Sequence, residues 1–319
     1  MATRSSLLGA ARHTPALWTV GLVGFLARGG WLVILLPMLA LPSPVSLSVL
    51  IGPDLVDANG LSARVATLLA VAGVIALVAV FAGLVTATLA DIATFQGLLD
   101  AVGVPARPLT GPGMRGLALQ LLMLQLLAAG PLLIAAGLAI SAIVVATRAE
   151  ILLPSDQSLP LLWRIAEVTW PALLAVAATA LLAGHLYTVL GRELMARRAG
   201  LAAAAHPGPR GALRDTAAAL VRRPARAVGG TLAGWVAGLA SVLVAAGCVA
   251  VGWTVAEALI LSPTTATSPL GSVATWIAAA GGTVALAASF GLALVILGAT
   301  AALRSALLTQ ASLGPRRAA

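Results

Sequence analysis

"VATLLAVAGVIALVAVFAGLVTATLA", Val65 to Ala90, contains no charged residue. A helix needs ~20 apolar residues to cross a hydrocarbon core of ~30 Å, and this run exceeds that. Leucine, valine and alanine occupy every face of it, so it has no polar side to offer to water. Runs of the same kind recur near Ala16–Leu41, Leu117–Thr147, Pro171–Leu190, Ala227–Leu261 and Val273–Leu303. Of the 319 residues, 60% are apolar and 9% are charged, and mean hydropathy is +1.05. Soluble domains carry about 25% charged residues, which excludes that class. The sequence predicts an all-α, polytopic transmembrane bundle of about six spans, a single integral membrane domain over residues 1–319. Its surroundings are the lipid bilayer.

Arginine distribution gives the threading. All 19 basic residues are arginine. Arg4 and Arg12 precede the first span, Arg107 and Arg115 lie in the second loop, and Arg192, Arg197, Arg198, Arg210, Arg214, Arg222, Arg223 and Arg226 lie in the fourth. Arg304, Arg316 and Arg317 fall at the tail, whereas only Arg64, Arg148 and Arg164 fall on the opposite side. Cytoplasmic loops are enriched in arginine, so both termini are expected to be cytoplasmic. The outer segments carry Asp54, Asp57, Glu150, Asp156 and Glu167 instead. Arginine with abundant alanine, glycine and proline is typical of high-GC coding, which points to a bacterial cytoplasmic membrane. The basic start precedes a run too long for a signal-peptide core and reads as a retained span.

Two loops have local patterns. In "LPSDQSLPLLWRIAEVTW", a turn at Pro154–Asp156 leads to a short amphipathic helix with Ser158 as cap and Pro160 just inside. Leu161, Leu162, Ile165 and Val168 would share its apolar face, with Arg164 and Glu167 toward water and Trp163 and Trp170 at the interface. The basic cytoplasmic loop 191–226 contains "ALRDTAAALVRRP", which could lie on anionic lipid headgroups or simply orient the chain. Net charge is +9. A polytopic protein needs such charge for orientation, and no aromatic-interleaved basic patch indicates nucleic acid.

Signatures of catalysis are missing. There is no H-E-x-x-H, G-x-S-x-G or P-loop. Cys248 is the single cysteine, and His13, His185 and His206 lie too far apart in sequence to suggest a metal site. "PDLVDANG" lacks the alternating oxygen ligands and final glutamate of a calcium loop. The expectation is a non-enzymatic protein without cofactor or metal, an accessory, scaffold or permease-like component. The alternative is a transporter of a small or amphipathic solute.

Polar residues inside spans are the remaining candidates. "GFLARGGWLV", Gly24 to Val33, sets a permanent cation beside two helix-weakening glycines. Either Gly29–Gly30 breaks the helix and lets Arg28 reach an interface, or the helix continues and Arg28 points inward. The second is favoured here, with Gln125, Tyr187 or carbonyls near Pro131 as acceptors. Arg28, Gln120, Gln125, His185 and Tyr187 would form a polar seam, or interhelical hydrogen bonds that only hold the bundle together. Asp91, Glu193 and Glu257 read as span-end charges. In span five, Gly230, Gly234 and Gly238 recur every fourth residue. That face allows close approach of a neighbour, most simply span six near Gly282, or of a second copy in a homodimer. A further protein partner is left open by the sequence.

The opening Arg12, His13 and Pro15, the long Leu/Ala/Val spans and the short outer loops give a general resemblance across most of the chain. It resembles six-span bacterial membrane proteins akin to the membrane domain fused to some glycerophosphodiester phosphodiesterases. The phosphodiesterase catalytic domain has no counterpart here, so the resemblance carries over no catalytic residue.

Overall fold

The computed structural model describes residues 4–35, 63–109, 111–152, 161–201, 224–261 and 269–313. Among them there is no strand. In chain order the helices are α1 (Arg4–His13), α2 (Pro15–Phe25), a π-type turn (Leu26–Gly30) and α3 (Trp31–Leu35). The long helices follow: α4 (Ala63–Ala101), α5 (Pro112–Leu152), α6 (Leu161–Arg198), α7 (Pro224–Leu261) and α8 (Pro269–Leu313). These last five are long and apolar enough to cross a membrane, over Ala70–Ala101, Gly113–Thr147, Trp163–Arg198, Leu232–Ile260 and Val273–Gln310. Five such helices fit an integral membrane protein with several crossings.

The first apolar run differs from expectation. Rather than one continuous helix through Arg28, the chain breaks at Gly29, whose φ of 87° and ψ of 11° are left-handed. Glycine adopts that conformation without the Cβ penalty other residues meet, so the sequence places the break. The run is described only as far as Leu35.

Two other boundaries move. The expected short amphipathic helix is the first part of α6, which runs unbroken from Leu161 through Pro171 to Arg198. The expected loop 191–226 therefore starts later, because its first arginines belong to α6. The "ALRDTAAALVRRP" segment and the Ser158 cap lie outside the described residues, apart from Pro224 at the start of α7. α6 ends where Gly200, at φ 74°, lets the Leu201 amide reach back to the Ala196 carbonyl at 2.9 Å.

The chain divides into two compact units. The first comprises Met1–Pro105 and Ala233–Leu307. In it α1 and α2 are separated at Thr14, with Pro15 opening α2, and the Trp18 indole donates across the break to the Ala11 carbonyl at 2.7 Å. Leu7, Ala11, Leu17, Leu98, Ala302 and Ala306 form one core cluster. A second joins Ile34 to Ala245, Val249, Ala293 and Leu297. Small residues bring the helices together: a Cβ at Gly21 would lie 3.1 Å from the Ala301 Cβ, and one at Gly298 would lie 2.8 Å from the Trp18 carbonyl.

The second unit comprises Ala106–Leu232 and Leu308–Ala319. Its centre is the α5–α6 hairpin, with buried Leu117 and Leu121 on one helix and Leu190, Leu194 and Met195 on the other. The Arg107 amide donates to the Ala199 carbonyl at 3.0 Å, which ties the segment before α5 to the end of α6.

Candidate functional site

In the first unit α2 and α4 run antiparallel in close contact. Leu17 lies against Gly97, and Gly24 lies against Ala90, where a Cβ on the glycine would be 3.2 Å away. One turn further along α2, and two turns back along α4, a Cβ on Gly83 would run into the carbonyl oxygen of Ala27. Glycine at 83 thus lets the α4 backbone come up against the chain just where the first helix breaks. Gly30 lies on the other side of the break, buried under the ring of Phe25.

Arg28 projects from this break. Its Nη1 donates to the Gly24 carbonyl at 3.3 Å, and its Nη2 donates to the carboxylate of Asp91 on α4. A guanidinium stays charged in any protein setting, and a lone charge among apolar helices is costly. The Asp91 carboxylate offsets that cost and is stabilised in return. The pair is not sealed: the Arg28 side chain is 37% exposed and that of Asp91 20%. Neighbouring hydroxyls donate into their own helix, Thr88 to the Leu84 carbonyl and Thr94 to the Ala90 carbonyl, at 2.8 and 2.7 Å.

From sequence alone Asp91 reads as a span-end charge, because hydropathy drops at that position. The structure carries α4 on to Ala101, so Asp91 lies well inside the helix and not at its end. The signal was there to read. Ile92, Phe95, Leu98 and Leu99 recur at helical spacing and are all buried.

The other seam candidates belong to the second unit. A Cβ on Gly191 would lie 3.3 Å from Leu121, and moving one turn along each antiparallel helix puts Gln125 level with Tyr187. Gln125 is buried; Gln120, His185 and Tyr187 are half-buried.

Several charges sit differently from expectation. Arg164 does not face water; it donates to Glu150 at 2.8 Å, with both side chains nearly buried. Glu193 is buried within α6 and accepts from Arg197 at 3.0 Å, and the buried Arg192 donates to Thr309 at 3.2 Å. Arg304 is part of α8 instead of a trailing tail. It covers the glycine face of α7: a Cβ on Gly234 would lie 3.3 Å from the Arg304 Cγ, and the guanidinium sits 5.2 Å from the Trp235 ring centre. Gly238 faces the same arginine. The partner of this face is span six, through Arg304 rather than Gly282, which instead meets Ala256 and Ile260. The surroundings of Gly230 lie outside the described positions.

Compared with protein-family models, with curated proteins and with solved structures, the chain matches none. The functional reading therefore rests on the geometry alone.

Proposed function

We propose that this is a non-enzymatic, permease-like component of the bacterial cytoplasmic membrane, with both termini inside and its polar centre at Arg28–Asp91. The observation that carries the reading is a partly exposed ion pair at the break of a discontinuous helix. Such breaks put polar backbone and charge inside an apolar bundle, and they persist where they line a cavity or meet a solute. Ionisable residues among membrane helices mark solute or ion pathways more often than inert packing. The pair is open on the Arg28 side, as contact with a solute requires.

The test is water access. In a Cys248→Ser background, cysteines replace Ala27 and Leu84, half-buried at the Ala27–Gly83 contact beside the break, and Leu77, 72% exposed on the apolar part of α4. A small water-soluble thiol reagent should modify positions 27 and 84 and leave 77, which faces lipid, unmodified. No reaction at 27 or 84 would overturn the permease reading and leave a packed scaffold. Orientation is tested separately: a cysteine at Ser155 should react with an impermeant reagent outside intact cells, and one at Ala204 should not. Labelling at 204 would reverse the topology.

A further inference from the structure

The same break has a second consequence. Up to Gly29 the first helix follows α4 in antiparallel register, through Leu17–Gly97, Gly24–Ala90 and Ala27–Gly83. Continued, that register would lay Trp31–Leu35 along the next turns of α4. It does not. Ile34 is buried among Ala245, Val249, Ala293 and Leu297 of α7 and α8. Every residue of α4 from Ala70 to Ala82 is left exposed, on all faces of the helix. The two helices part at Gly29 and leave a wedge that opens beyond the Ala27–Gly83 contact, while Arg28 reaches back past that contact to Asp91, level with Gly24.

Its two chemistries are sharply separated. The α4 wall, "AVAGVIALVAVFA", has no polar side chain, and Trp31, Leu32 and Leu35 of α3 are exposed apolar residues. Behind its closed end are one cation and one anion, both partly exposed. A small hydrophilic solute would find no polar group along the wall, whereas an acyl chain matches it. A purely anionic headgroup would meet Arg28 but be repelled by Asp91. A headgroup carrying both signs satisfies both residues.

We propose that this wedge holds a single lipid-like amphiphile whose zwitterionic headgroup, a phosphate and a primary ammonium, lies on Arg28 and Asp91 with its chain along Ala70–Ala82. The phosphate takes guanidinium N–H donors, and the ammonium donates to the carboxylate. This deepens the permease reading by naming the solute class, and its readout is independent of water access. A lipid held by an inaccessible pair would sink the permease reading and leave this one standing.

The experiment uses the full chain, delipidated in detergent and titrated with phosphatidylethanolamine, phosphatidylglycerol or phosphatidylcholine of identical chains, with the first bound lipid read by native mass spectrometry. Phosphatidylethanolamine should bind about tenfold tighter than phosphatidylcholine, whose quaternary ammonium cannot donate, the scale of one charge-assisted hydrogen bond. Arg28→Gln should remove most of that affinity. Asp91→Asn should keep lipid binding but shift the preference to phosphatidylglycerol, so the proposal stays testable if the arginine variant does not fold. Equal retention of all three lipids by the unaltered protein, or an unchanged preference in the Asp91 variant, would overturn it. Displacement of the lipid by millimolar O-phosphoethanolamine would also overturn it, since the ligand would then be a small zwitterion needing no chain.

Discussion

The two halves of α4 belong to one unbroken helix and have opposite surroundings. From Ala70 to Ala82 the helix is exposed on every face, whereas Ala87, Ala90, Ile92, Phe95, Leu98 and Leu99 are buried against the rest of the first unit. Polarity separates them too: the first half has no polar side chain, whereas the second carries Thr88, Asp91, Thr94 and Gln96. The neighbour differs as well. α2 covers one half, and the break at Gly29 takes the chain off the other. Membrane helices gain little from apolar character itself, since lipid is equally apolar, so packing follows where small residues allow backbones to meet.

The largest expected effect breaks this contrast directly. Gly83→Leu drives a side chain into the Ala27 carbonyl, a backbone atom that cannot move without moving Arg28. It should cost about 3 kcal/mol, at the upper end of ordinary overpacking. Gly73→Leu makes the same change on the same helix, with open space around the new Cβ, and should cost under about 0.5 kcal/mol. Thermal unfolding in detergent reads both. Similar melting temperatures for the two variants would mean that α2 does not grip α4 at Gly83.

The contrast extends, more weakly, to α7. Gly234→Leu must displace the Arg304 stem, 3.3 Å from a Cβ there, whereas Val236 is exposed and Val236→Phe meets nothing comparable. A flexible side chain yields more easily than a carbonyl, so the glycine variant should lose about 1–2 kcal/mol and the valine variant much less. Equal losses would show that the glycine face is not a contact surface.

Smaller still is Gly29→Ala, which asks an L-residue to hold a φ of 87°. It should cost about 1 kcal/mol, and Gly29→Asn less, because asparagine tolerates the left-handed region better. If alanine were neutral at 29, the break would not depend on glycine.

These comparisons also mark what the sequence could reveal. Five apolar runs became long helices because length and hydropathy are local properties, and a permanent cation in an apolar run drew attention to Arg28 for the same reason. Span ends were less legible. The run was closed at Ala90 because Asp91 is charged, although the amphipathic "DIATFQGLL" continues the helix. α1 was read only as a basic leader, yet Leu7 and Ala11 bury against Leu98 and Ala306. Tertiary pairing was out of reach of any pattern: nothing near Arg164 in sequence indicates Glu150, and nothing near Arg28 indicates Asp91. The choice between a continuous and a broken first helix turned on whether glycine was present for packing or for conformation. Composition is the same in both cases, and only the backbone angle distinguishes them.

The central claim is that Arg28 and Asp91 act as one unit at the broken helix, and a double-mutant cycle tests it most directly. Arg28→Gln and Asp91→Asn each strand a charge among apolar helices. Partial exposure keeps each loss to about 1–3 kcal/mol, below the cost of breaking a fully buried pair. Combining them removes both charges, so the double variant should be more stable than the sum of the single losses implies, by about 1 kcal/mol or more. Single losses that add to within about 0.5 kcal/mol would contradict the account, because the two residues would then not depend on each other.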